Sequence, residues 1–337
     1  MSKKVVTFGE LMIRLQPYDY ERFVQADKLQ FTFGGAEANV AVSLANFGMD
    51  SVYVTKLPEH SIGQAAVNSL RRYGVDTSRI VRGGSRVGIY FNEKGASQRP
   101  NVCIYDRAHS AISEAEISDF DWDSIFEDAV WFHFTGITPA LGEGLAEICL
   151  KACKTAKAKG IKVSCDLNYR SKLWTTEQAC KTMTELCRYV DVFIVNEEQA
   201  KVVFGIEANS KDKKESLRSV AAQLSERFGF EITAITIRSG ASASDNDWSA
   251  MLYDAASSDC FFSKLYHMHI VERIGGGDSF CAGLIYSLIS GKNPQDAVEF
   301  ASAACALKHS VEGDFNMVTA AEVEQLAGGN GSGRVQR

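Results

Sequence analysis

What the chain lacks narrows its chemistry first. No stretch is long and apolar enough to cross a bilayer as a helix. The opening Met1-Ser2-Lys3-Lys4 runs straight into Val5-Val6-Thr7-Phe8, without the apolar run and small-residue cleavage site of a secretory signal. A cytoplasmic location is therefore expected. The nine cysteines show no Cys-x-x-Cys spacing. Buried, reduced thiols are expected rather than a disulfide framework or a zinc ribbon. His267 and His269 share one face of a strand-like segment, but two residues alone do not make a metal site. Excess positive charge is also missing. The formal net charge is −6, which argues against nucleic acid or an anionic membrane as the main partner. A small anionic substrate remains compatible, because a few arginines in a cleft outweigh the global charge. Finally, Phe8-Gly9-Glu10-Leu11 does not supply the G-x-G-x-x-G of a dinucleotide-binding dehydrogenase.

What the chain has is a rhythm. Strand-like Lys4–Gly9, Ser51–Leu57, Val130–Thr135, Lys162–Asp166, Val192–Asn196 and Ile232–Arg238 alternate with helix-like segments. The helical ones include Glu37–Phe47, Ser61–Tyr73, Gly142–Lys159, Thr176–Arg188, Leu217–Phe228, Asp278–Ser290 and Pro294–Ser310. This alternation predicts an α/β protein with a mostly parallel sheet covered by helices. Two regions break the pattern, Ile13–Phe33 and Arg86–Arg107. Their short alternating segments with aromatics predict antiparallel strands of a small flap that shuts water out of a site. One domain is expected over residues 1–327, with these lid segments at 13–33 and 86–107. The glycine-rich 328–337 is expected to be a flexible tail.

The strongest chemical signal is Ile274-Gly275-Gly276-Gly277-Asp278-Ser279. A helix N-terminus presents unpaired N–H groups and a partial positive charge, which suits phosphate. Glycine lets backbone approach an anion without a Cβ in the way. The loop is neither a Walker A nor a Rossmann motif. An acidic residue beside an anion site is unfavourable unless it has work there. Asp278 is placed to take a proton from an attacking hydroxyl while the N–H groups steady a transferring phosphoryl group. The plainer alternative is a simple helix cap, and the loop alone leaves both open.

Together with Phe33-Gly34-Gly35-Ala36-Glu37-Ala38-Asn39-Val40 near the start, this loop resembles the paired signatures of the ribokinase (PfkB) carbohydrate kinase family. The resemblance implies a ribokinase-like three-layer α/β/α fold, with a mostly parallel central sheet and a small β-sheet lid. It implies ATP and Mg²⁺, Gly275, Gly276 and Gly277 as an anion hole, and Asp278 as the catalytic base. Gly34, Gly35 and Asn39 would approach a polyol. Asn196, Arg238, Gly275 and Gly277 would serve the nucleotide. The family's N-x-x-E motif reads Asn196-Glu197-Glu198-Gln199 here, so Asn196 and Glu198 would reach a metal only through water.

Three further segments are similar to the 2-keto-3-deoxygluconate kinases within that family. They are Tyr105-Asp106-Arg107-Ala108, Asp166-Leu167-Asn168-Tyr169-Arg170 and Gly313-Asp314-Phe315-Asn316. This implies Gly34, Tyr90, Tyr105, Arg107, Ile137, Arg170 and Asp278 as substrate contacts, with the two arginines gripping a carboxylate. The expected reaction is ATP-dependent phosphorylation of the terminal hydroxyl of an acidic keto-sugar, 2-keto-3-deoxygluconate, to its 6-phosphate. A neutral-sugar kinase is the alternative, because fructokinases share the D-x-N-x-R strand end. A non-catalytic sugar-binding protein on the same fold is a third reading, against which the intact Asp278 speaks. The open lid edge invites a second subunit, so a homo-oligomer through the lid is expected.

Overall fold

The computed structural model describes residues 4–208, 210–240 and 242–331. At its centre lies a nine-stranded sheet. Across it run Asp259–Phe262, Asp245–Asp254, Ile232–Gly240, Val192–Val195, Lys162–Asp166, Ala129–Thr135, Lys4–Phe8 and Asp50–Val54 in that order, and Tyr266–His269 pairs with Asp245–Asp254. The run from Ile232–Gly240 to Asp50–Val54 is parallel throughout. Successive side chains on a strand point to opposite faces. Val6 and Phe8 therefore pack with Phe132, Leu145 and Ile148 on one side, while Val5 packs with Val40, Leu44 and Phe280 on the other. Helices cover both faces, as the ribokinase-like three-layer arrangement requires. All nine cysteines are free thiols.

The alternation of segments misses part of this. It stops at Arg238, yet three more strands follow, all antiparallel. They are joined by short turns instead of helices, so the region lacks the spacing that marks a βα unit. The helices Glu197–Phe204 and Ala320–Ala327 were also not expected. Ser51–Leu57 is two strands, Asp50–Val54 in the main sheet and Lys56–Leu57 paired with Val81–Arg82. Gly328 to Asn330, placed in the tail by composition, close the last helix through bonds from Gly329 and Asn330 back to Leu326 and Gln325. Residues 332–337 of that tail lie outside the described residues.

The lid is a separate four-stranded sheet in the order Gln30–Gly34, Met12–Gln16, Ile89–Glu93 and Val102–Asp106. Its outer pairings are antiparallel, but the central one is parallel, contrary to expectation. The chain leaves the lid at Gly34 and passes through helix Ala36–Asn46, strand Asp50–Val54 and helix Ser61–Arg71 before it returns. A crossover of that length permits parallel pairing, which a short hairpin does not.

Arg14, on the lid strand Met12–Gln16, ties the lid to the body. Its side chain is 2% exposed and forms ion pairs with Glu272 and Asp314. It also donates to Gln16, which accepts from Asn92 as well. The Tyr90 hydroxyl lies 2.7 Å from both oxygens of Asp314. Burial opposes the charge on Arg14, but Asp314 and Glu272 outweigh it and raise the pKa of the guanidinium. At the lid tip, Ser97 donates to Ser244 Oγ at 2.9 Å and accepts from Ala243 N at 2.7 Å. Replacing Arg14 with leucine strands two buried carboxylates. Arg14→Leu is expected to lose about 3–5 kcal/mol of stability, read as a lower urea midpoint. A loss under about 1 kcal/mol, the range of an exposed pair, would show that this network does not hold the lid.

Candidate active site

Between the lid and the carboxyl ends of the parallel strands lies a cleft of about 1100 Å³. Ligand crevices in open α/β sheets form at such strand ends. Gly35, Asn39, Tyr90, Tyr105, Arg107, Ile137, Arg170, Arg238, Gly275, Gly276, Gly277 and Asp278 line it. Gly34 lies just outside, against Asp314, whose carboxylate occupies the space a Cβ would need. Asn196 and Glu198 do not line the cleft.

At one end, helix Gly276–Ile289 begins after Gly275, which has φ +88°. A Cβ on Gly275 would come within 2.1 Å of the Asp314 carbonyl oxygen, and one on Gly276 within 2.2 Å of the His309 ring. Packing behind the loop therefore forces both glycines. A Cβ on Gly277 would meet nothing within 4 Å, so no contact inside the protein calls for that glycine. The N–H groups of Gly275, Gly276 and Gly277 have no protein acceptor among the described residues, as befits a helix start. Glu272 shapes the approach: its Oε1 accepts from the backbone of Arg273 at 2.8 Å and of Ile274 at 3.1 Å.

Asp278 is half-buried beside this loop. It makes no capping bond, so the simple cap reading fails. Its Oδ2 accepts from Asn39 Nδ2 at 2.7 Å. Burial pushes its pKa up to about 7; the Asn39 bond opposes the rise, and the carboxylates of Asp166, Asp314 and Glu37 add to it. A carboxylate that titrates near neutrality is suited to general-base work.

At the other end, the strand-end pattern Asp166-Leu167-Asn168-Tyr169-Arg170 has a local cause. Asp166 Oδ1 accepts from Asn168 N at 3.0 Å, and Asn168 takes φ +37°, a conformation asparagine tolerates. The chain turns there and Arg170 reaches the cleft, exposed and without a salt-bridge partner among the described residues. Arg107 is held differently. Its Nε donates to Glu10 Oε2 at 2.8 Å, Nη2 donates to the same oxygen, and Ser110 holds Oε1 at 2.7 Å. Its guanidinium lies 5.3 Å from the Tyr105 ring, which stacks on Tyr90 at 6.0 Å. The two arginines are therefore not a matched pair of free cations, and the Tyr90 hydroxyl is spent on Asp314. Asp106, between Tyr105 and Arg107, pairs with Arg86.

On the expected nucleotide side, Arg238 donates to Asn246 Oδ1 at 3.0 Å. Asn196 caps helix Glu197–Phe204, its Oδ1 accepting from Gln199 N at 2.8 Å. Glu198 is exposed, and neither residue lines the cleft. Among the described residues no group of three or more His, Cys, Asp or Glu is arranged to hold a metal. Sequence reasoning overlooked Asp166 and Glu37 as cleft residues. Burial pushes Asp166 up to about 6, with Arg170 pulling the other way. Glu37 is buried and accepts from Thr135 N, Thr135 Oγ1 and Thr138 Oγ1. The one available signal was a glutamate inside an otherwise apolar helical run.

Residues 2–321 match the family model described as pfkB family carbohydrate kinase. A 2-dehydro-3-deoxygalactonokinase of Haloferax volcanii is 34% identical over 334 residues, 99% of each chain. A 2-dehydro-3-deoxygluconokinase of Bacillus subtilis is 25% identical, covering 94% of this chain and 92% of that one. The crystal structure of a 2-dehydro-3-deoxygluconokinase from Thermotoga maritima is similar at TM-score 0.95 and 49% identity, over 98% of this chain and 99% of the other. With the glycine loop and its aspartate brought together in one cleft and the family match running over nearly the whole length, this protein belongs to the pfkB family of carbohydrate kinases.

Proposed function

We propose that this kinase transfers the γ-phosphoryl group of ATP to the terminal hydroxyl of a 2-keto-3-deoxy sugar acid, with 2-keto-3-deoxygluconate as the first candidate. The reading rests chiefly on the juxtaposition of Asp278 with the free N–H groups of Gly275–Gly277. The hydroxyl oxygen forms the new bond to phosphorus and its proton passes to Asp278. The bond from phosphorus to the β-phosphate bridging oxygen breaks, and ADP leaves. The backbone N–H groups meet charge on the phosphoryl oxygens. Mg²⁺ would arrive with the nucleotide, keeping several waters, and supply charge neutralisation between the phosphates. Asp166 is a hard oxygen donor in the cleft that would suit it.

The names of the relatives support an acid, and Arg170, exposed in the cleft without a salt-bridge partner among the described residues, supplies a cation to receive it. The Arg107–Glu10 pair favours a second reading. A cation already neutralised suits a hydroxyl as well as a carboxylate, which keeps a neutral-sugar kinase in play.

Asp278→Asn is expected to lower kcat at least about 10²-fold with ATP binding retained. A variant keeping more than about a tenth of kcat would remove Asp278 from that role. The base must be deprotonated to act, so kcat/KM should rise with pH through about 7 and level off above it. A profile flat from pH 5.5 to 8 would contradict the assignment. Arg170→Ala separates the two substrate readings. Losing a charge-assisted contact costs about 1.5–3 kcal/mol, so kcat/KM for the keto-deoxy acid should fall about tenfold or more while a neutral sugar such as fructose is spared. Equal loss for both would take carboxylate recognition away from Arg170.

A further inference from the structure

Lys308 is the last residue of helix Pro294–Lys308, and its side chain is 0% exposed. A lysine near a helix C-terminus ordinarily extends into water, where it complements the helix dipole at no desolvation cost. Here the ammonium is shut inside. Among the described residues its one hydrogen bond runs to the Val311 carbonyl at 3.1 Å. An ammonium has three donors, and Lys308 has no salt-bridge partner among the described residues. The nearby carboxylates of Glu272 and Asp314 are already engaged by Arg14.

Its position gives the charge a use. A Cβ built on Gly275 would lie 3.0 Å from Lys308 Cε, so the lysine stem is packed against the first residue of the glycine loop. Gly275, Gly276 and Gly277 line the cleft, which Lys308 does not. Around the ammonium stand Glu272, Asp314 and Asp278, which favour its charge, and Arg14, which opposes it. Burial dominates these effects and brings its pKa down to about 8. The carboxylates around it work against burial and favour its charged form.

We infer that Lys308 is the built-in cation of the phosphate loop: it touches no ligand but, packed against Gly275, gives the loop the positive potential that draws and orients the phosphates of ATP. Backbone N–H groups carry only partial charge, and beside the Asp278 carboxylate they face a negative field. A full positive charge in a region of low dielectric counters that field without occupying cleft volume. Lys308 is a positioning residue for the proposed phosphoryl transfer and rests on that reading. Its test therefore uses binding, which can be scored without turnover.

The experiment compares ATP and adenosine binding by calorimetry in wild type, Lys308→Met and Lys308→Ala. Methionine fills the buried space without charge, so Lys308→Met should keep its unfolding midpoint. ATP affinity should drop about tenfold or more while adenosine affinity stays put, because only the phosphates feel the cation. In Lys308→Ala, ammonium or methylammonium should restore part of the ATP affinity by entering the space left behind. A merely structural lysine would weaken both ligands alike and show no rescue. ATP affinity within twofold of wild type in Lys308→Met would overturn the inference. If wild type itself fails to bind ATP, the kinase mechanism is at fault instead. If the substituted chains do not fold, ATP affinity of Asp278→Asn is followed against pH. That background removes a carboxylate that titrates near neutrality, and affinity should decline with rising pH as Lys308 loses its proton, at a lower pH than in wild type because Asp278 no longer favours the charge. A flat profile there would also overturn it.

Discussion

A guanidinium shut away from water must be matched by charge, or the protein will not close around it. Arg14 is such a group, and its partners come from separate parts of the chain. Gln16 belongs to the lid, Glu272 precedes the glycine loop, and Asp314 follows the last long helix. Displacing Arg14 would leave both buried carboxylates without their cation. Glu272 makes the coupling plainest, because one oxygen takes the arginine of the lid while the other holds the backbone of Arg273 and Ile274. The seating of the lid and the shape of the anion site are therefore set by one carboxylate, before any ligand arrives.

Inside the cleft the balance runs the other way. Glu10, Glu37, Asp166 and Asp278 all face it, and Asp166 and Glu37, with Asp314, make Asp278 harder to ionise. This crowding, with burial, is what brings Asp278 to a useful basicity. It also makes every cation matter. Arg107 is neutralised by Glu10, which leaves Arg170, Lys172, Arg238 and Arg273 as the cleft cations without an ion pair among the described residues.

Much of this was legible because it is local. A parallel sheet reads as apolar runs separated by helical spacing, and a glycine run before a helix announces an anion site. The turn at Asn168 follows from residues two apart. What stayed hidden depends on distance along the chain or on a missing period. The strands between Asp245 and His269 carry no helix to mark them. Nothing near Arg107 in sequence reveals that Glu10 is its partner, 97 residues away. Lys308 resembles any lysine at the end of a helix, and only the packing of Gly275 above it shows otherwise. The glycines make the same point. Gly275 and Gly276 are dictated by Asp314 and His309 behind them, and Gly277 by nothing in the protein. The pattern of three could not tell them apart.

The separation of Arg14 from its partners bears on how the molecule comes into being. Glu272 and Asp314 lie 258 and 300 residues downstream of it. During synthesis from the amino end, the lid strand leaves the ribosome with a cation whose counter-charges have not yet been made. Its final burial must wait until Asp314 has been made. A nascent chain halted short of Asp314 would already carry the glycine loop and every arginine of the cleft, yet would lack the means to lock them together. Asp314, the last member of this network to be translated, thus completes it.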